Sequence, residues 1–217
     1  MSEPRSSNGE ATRQALIHAA EQLFAAQGID GTTIAAITVA AGQRNNYAVG
    51  WHFGGKAELL AAVLQKHQQR IDRVRSIVLD AIEAAGAPDT RAIAHALVAP
   101  LTDRLADPDG GADYLRIQAE QLSRRGPEAD LASPSTRRLL EEAAMVVDVG
   151  DPDALEDVQA LIVSTVFHGL ADFAARRPDA DETERGAFER LLVDTVTEIL
   201  DGHNERSRGS GGRQSNR

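Results

Sequence analysis

The 217-residue chain carries 23 Lys and Arg against 33 Asp and Glu, a formal net charge of −10, with 42% hydrophobic and 4% aromatic residues. It has no cysteine, which excludes disulfides and thiolate metal sites and fits a reducing cytoplasm, and its acidity argues against general nucleic-acid affinity. Abundant Ala and Leu with few β-branched runs predict an all-α chain, and its length allows a core of one domain or two modest ones.

Residues 1–8 are small and polar and are expected to be a disordered arm, frayed rather than inserted into a minor groove. They lack the apolar centre of a signal peptide, and no apolar run reaches the ~18 residues of a membrane span, so no membrane partner is expected. A helix is predicted from Gly9 or Glu10 to Gln27, with Leu16, Ile17, Ala20, Leu23 and Phe24 on one face and Gly28 as its stop. Thr33 then caps a second helix carrying Ile34, Ile37, Ala40 and Ala41, which ends at Gly42. After one tight turn a third helix is predicted from about Arg44 to Phe53. Two short helices joined by a glycine turn make a helix-turn-helix, whose second helix can enter the major groove. No Asp or Glu lies between Asp30 and Glu58, whereas Arg44 and Lys56 are cationic, as a phosphate-facing surface requires.

From Lys56 to Ala85 the chain has neither Pro nor Gly, and Leu59, Val63, Ile71, Val74, Val78 and Ile82 keep a helical rhythm. Such a helix is about 40 Å long, enough to reach from the first three helices into whatever follows, and so a lever between them. A fifth helix is predicted over 90–106, kinked or broken at Pro100, then a turn at 107–111 and a sixth helix over 112–124. Residues 125–135 have loop composition, and a seventh helix starts at Ser133-Pro134 or Ser135. Gly150 ends it, and Asp151-Pro152 opens an eighth running to Arg176. Asp181 caps a ninth, stopped by Gly202, and the Ser-, Gly- and Arg-rich tail 203–217 is expected to be disordered.

The last two helices are apolar over wide faces, which implies burial on two sides. One side is the chain's own core. The other is assigned to a second copy, through Leu155, Ile162, Val163, Val166, Leu192, Val196 and Ile199. Catalytic motifs are wanting. The histidines show no metal-ligand spacing, GGK at 54–56 lacks the first glycine of a phosphate loop, and Ser164 with His168 is a pair of a kind common by chance. No enzyme activity, metal or cofactor is expected.

TRQALIHAAEQLFAAQGIDGTT (12–33), the AAG at 40–42 and AVGWHFGGKAELL (48–60) together resemble the DNA-binding region of TetR-family (tetracycline-repressor-like) transcriptional regulators. The chain departs from the commonest family pattern by one extra residue between Gly42 and Phe53, and by Gly50 where a tyrosine is usual. The resemblance implies a three-helix DNA-binding domain (9–57) and a helical effector-binding and dimerisation domain (58–202), about nine helices in all. It further implies a cytoplasmic homodimer, a repressor released from a palindromic double-stranded DNA operator by an unknown small-molecule effector. The alternative is a helical dimeric interaction or ligand-binding protein without operator binding. The DNA-contacting residues expected are Thr33, Gln43, Arg44, Asn45, Asn46, Tyr47, Trp51, His52 and Lys56. For the effector pocket, expected near Pro100, the candidates are His95, Tyr114, Gln118, Gln121, Phe167 and His168; each is equally a core or surface polar group.

Overall fold

Asn45, rather than Arg44, sets where the third helix begins. Its Oδ1 accepts from the Tyr47 N–H at 2.9 Å and its carbonyl accepts from Ala48, so the helix opens three residues later than the periodicity suggested. The computed structural model describes residues 5–45, 47–86, 88–125, 133–147 and 152–211. Among these lie α1 (Arg5–Gln27), α2 (Ile34–Ala40), α3 (Tyr47–Phe53), α4 (Lys56–Ala85), α5 (Thr90–Thr102), α6 (Gly111–Arg125), α7 (Pro134–Val146), α8 (Pro152–Arg176) and α9 (Glu182–Gly211). The described residues are all-helical, as expected.

Capping side chains fix several starts. Thr33 Oγ1 accepts from Ala36 at 3.1 Å, Asp89 Oδ1 from Ala92 at 2.7 Å and Ser133 Oγ from Thr136 at 3.1 Å. Asp181 and Glu184 form a reciprocal pair: Asp181 Oδ1 accepts from the Glu184 N–H, and Glu184 Oε2 from the Asp181 N–H.

Three boundaries differ from expectation. Helix α1 begins at Arg5, inside the segment expected to be disordered, because extending a formed helix needs no new nucleus and Gly9 costs only ~1 kcal/mol. Helix α9 runs past Gly202 to Gly211. His203 and Asn204 are buried, and Asn204 Nδ2 donates to the Val146 carbonyl at 3.0 Å, so tertiary contact carries the helix over the glycine. Helix α5 stops at Thr102, and residues 103–106 tighten into a 3-10 turn. The expected arm residues 1–4, the loop 126–132, the Gly150 stop with the Asp151 cap, and 212–217 lie outside the described residues.

Two hydrophobic clusters share α4. The smaller joins Leu16, Phe24, Ile37 and Val49 to Leu59 and Val63 of α4 and to Ile117 of α6. A boundary at 57/58 therefore falls inside this core. The larger takes Ile71 and Leu79 from the far half of α4 and packs them with α5 to α9. Helix α8 is long and apolar enough to cross a membrane by length and composition alone. Its Ile162, Val166, Phe167, Leu170 and Phe173 are nevertheless buried in the protein.

Polar contacts cross between the clusters. Glu21 of α1 meets His67 at 2.5 Å and Lys66 at 2.9 Å, both on α4, and Lys66 also reaches Asp109 at 2.8 Å. The Ile29 N–H donates to both oxygens of Glu120, and Arg124 pairs with Asp30 at 2.7 Å. Gly110 has φ +82°, and a Cβ there would run into the Glu21 carboxylate, so the turn before α6 closes over this cluster only with glycine.

Candidate nucleic-acid interface and core cavity

Helix α3 is held by one buried side chain, Val49, so its opposite face looks outward. Tyr47 and Trp51, one turn apart, are 83% and 85% exposed, and a Cβ on Gly50 between them would meet nothing within 4 Å. Helix α2 ends with Gly42 at φ +68°, where the Gly42 and Gln43 N–H groups donate back to Val39 and Thr38. Arg44 follows, exposed in the turn rather than on α3.

The other expected DNA residues fall into place around this face. Thr33 is exposed but its hydroxyl oxygen is engaged as a cap. Gln43 is half-buried, with Nε2 donating to the Ala41 carbonyl at 3.3 Å. The Asn45 side chain is likewise engaged as the cap of α3, and Asn46 lies outside the described residues. His52 is half-buried beside Phe53, with ring centres 6.3 Å apart. Lys56 is the first residue of α4, its Nζ 6.0 Å from the centre of the Phe24 ring. Two features of this end of the molecule had no local signal. Arg13 of α1 lies 5.2 Å over the Phe53 ring, and Val39 of α2 is 74% exposed. Cations, aromatic faces and an absence of acids from 31 to 57 suit phosphates and base edges.

The six candidate pocket residues do not come together around a cavity. Tyr114 is fully buried, stacked on His67 with centres 4.8 Å apart and edge-on to Phe167, also buried. Gln118 and Gln121 are buried on α6. His95 and His168 are exposed; His168 Nε2 lies 3.0 Å from Ser123 Oγ, and among the described residues no acid completes its pairing with Ser164. A cavity of about 120 Å³ lies instead between α4, α5, α7, α8 and α9, walled by Leu139, Val158, Ile162 and Val196 with Arg75 and Gln159. None of the six lines it. Ring stacking around Tyr114 fills the space the sequence had offered to a ligand.

The expected dimer residues are also placed differently. Ile162, Val166, Leu192 and Val196 are buried in the chain's own core, Leu155 and Val163 line the cavity, and Ile199 packs half-buried against the same core. Helix α8 lies along α6 and α9 along α5, so these stripes are consumed within one chain. The exposed large apolar residues described on α8 and α9 are Leu161 and Leu191, 54% and 58% exposed.

The structure brings His18, Glu21 and Asp109 within reach of one another, a grouping that could hold a metal ion. The Lys66 ammonium already bonds to both carboxylates there, so the cluster carries its own cation. Burial disfavours the Lys66 charge, but its bonds to Asp109 and Glu21 outweigh that and raise its pKa.

Fold and site together define an all-helical helix-turn-helix protein. Residues 16–63 match the family described as bacterial regulatory proteins, tetR family. Over 72 residues it is 40% identical to the HTH-type transcriptional regulator SrpR of Pseudomonas putida, a match covering 33% of each chain. It is 39% identical, again over 72 residues, to the uncharacterized HTH-type transcriptional regulator TtgW, also of Pseudomonas putida, covering 33% of this chain and 53% of that one. The matched stretch thus spans about a third and about half of these relatives' lengths. A TetR-family regulator structure from Mesorhizobium loti aligns over 92% of this chain and 98% of its own, at 19% identity and a TM-score of 0.47.

Proposed function

We propose that the chain is a cytoplasmic, homodimeric DNA-binding transcriptional regulator, a repressor released from a palindromic operator by a small molecule. The observation that carries this reading is the outer face of α3, where exposed Tyr47 and Trp51 follow Arg44 in a window free of carboxylates. In a chain of net charge −10, an acid-free surface on a helix-turn-helix is what phosphate contact demands. The match over 16–63 and the two Pseudomonas relatives, both HTH-type transcriptional regulators, support it.

A dimer would set two copies of α3 about 34–36 Å apart, one turn of DNA. Leu161 and Leu191 are exposed large apolar residues of α8 and α9 that a partner can cover. The cavity gives an effector a place to act, and α4 connects its wall at Arg75 to the helix-turn-helix.

A mobility-shift titration on the chain's own upstream DNA, run as a salt series against random duplex, tests the proposal. A retarded band that resists random competitor is expected, with affinity falling steeply as salt rises. Equal affinity for both duplexes, or none, would leave a helical dimeric protein without operator binding.

A further inference from the structure

Nothing among the described residues requires position 50 to be glycine. Gly50 lies inside α3, is not one of the glycines with positive φ, and its carbonyl accepts from the Gly54 N–H at 3.0 Å. A Cβ built on it meets no described atom within 4 Å, so no neighbour in the chain claims the space. Glycine inside a helix is nevertheless less stable than alanine. Close approach of a ligand to the backbone is the remaining physical reason for a glycine there.

The bare patch is framed by rings. Tyr47, Gly50 and Trp51 stand at i, i+3 and i+4, on the face of α3 away from buried Val49, and all three are exposed. None of the three is charged, and the cations Arg44 and Lys56 lie just beyond the two ends of α3. Those ends suit phosphates, whereas two aromatic rings beside a bare backbone suit an apolar group. On the major-groove edges of unmodified DNA the one apolar group is the thymine C5-methyl. We propose that Gly50 seats a thymine methyl of the operator between the Tyr47 and Trp51 rings, one thymine per subunit. This assignment rests on the reading of the chain as a DNA-binding regulator, and it names part of what that regulator reads.

Two duplexes of the chain's own upstream DNA test it, one amplified with thymidine triphosphate and one with deoxyuridine triphosphate. Uracil keeps every hydrogen-bonding group of thymine and lacks only the methyl. In mobility-shift titrations the uracil duplex is expected to bind a dimer about fifteenfold more weakly, at roughly fourfold for each buried methyl. Trp51→Ala is expected to weaken binding to the thymine duplex and to lose most of the difference between the two, since coupled changes do not add. Gly50→Ala is expected to melt no lower than the unaltered protein yet bind the thymine duplex at least about tenfold more weakly. Equal affinity of the unaltered protein for the two duplexes would overturn the proposal. So would Gly50→Ala binding as tightly as glycine, or Trp51→Ala keeping the full thymine preference. Retardation of neither upstream duplex in preference to random DNA would instead defeat the DNA-binding reading, and this assignment with it.

Discussion

Glu21 and His67 face each other across the junction of α1 and α4 at 2.5 Å, and neither side chain reaches solvent. The Glu21 carboxylate accepts from His67 Nε2 and, through its other oxygen, from Lys66, while buried His67 Nδ1 has no hydrogen-bond partner. One α1 carboxylate thus holds two consecutive α4 side chains, and this bond, not apolar packing alone, orients the helix-turn-helix on its lever. Removing the carboxylate leaves buried His67 without its acceptor and Lys66 with Asp109 alone. Glu21→Ala is therefore expected to cost about 3–5 kcal/mol in urea unfolding, as for other broken buried pairs. A loss below about 1 kcal/mol would mean the pair contributes little beyond its desolvation cost.

Two groups near this junction give stability opposite pH limits. The raised pKa of Lys66 means its contribution is whole below the ordinary lysine value of about 10.4 and is lost as pH rises through the higher folded value. Burial pushes Asp107 upward, but the Asp109 N–H and the Arg70 and Arg104 guanidiniums more than offset it and leave its pKa lowered. Its contribution is whole above about pH 4 and is lost as pH falls through the lower folded value. Melting temperature should therefore decline at both extremes. Lys66→Met should remove part of the alkaline decline and leave the acid limb unchanged; a variant whose two limbs move together would refute the assignment.

Arg44 and Lys56 are expected to act differently on DNA. Arg44 is exposed in the turn leading into α3, where a guanidinium can reach a guanine edge, whereas Lys56 sits at the start of α4, suited to a phosphate. Arg44→Ala should relax sequence preference. Lys56→Ala should weaken specific and random duplex alike and lower the salt slope by about one per subunit. Identical effects of both changes on the two duplexes would contradict this division.

The neighbouring leucines Leu191 and Leu192 separate association from folding. Leu192 is 5% exposed in the core and Leu191 is 58% exposed. Leu191→Arg and Leu161→Arg should give folded monomers by light scattering with an unchanged helical spectrum. Leu192→Arg should instead lose the fold, since an unpaired buried charge costs several kcal/mol. Dimers persisting in both exposed-site variants would move the interface elsewhere.

Local chemistry made much of this protein legible in its sequence. Helical period, the caps Thr33, Asp181 and Ser133, and the glycine at 42 all act within a few residues, so the helix order and the helix-turn-helix could be read directly. The acid-free window around Arg44 and Lys56 was legible for the same reason. Tertiary structure alone decided what each apolar stripe touches. Periodicity states that Ile162, Val166, Leu192 and Val196 are buried, but burial by a partner and burial by α5 and α6 leave the same pattern. It also moved the cavity from Tyr114 to Arg75, because ring stacking with His67 and Phe167 closes one space while aliphatic side chains from α5, α7, α8 and α9 leave another open. The Glu21–His67 bond joins residues 46 apart, and Asn204 holds α9 through a carbonyl 58 residues away. Contacts at such separations depend on how helices cross, which a linear pattern does not encode.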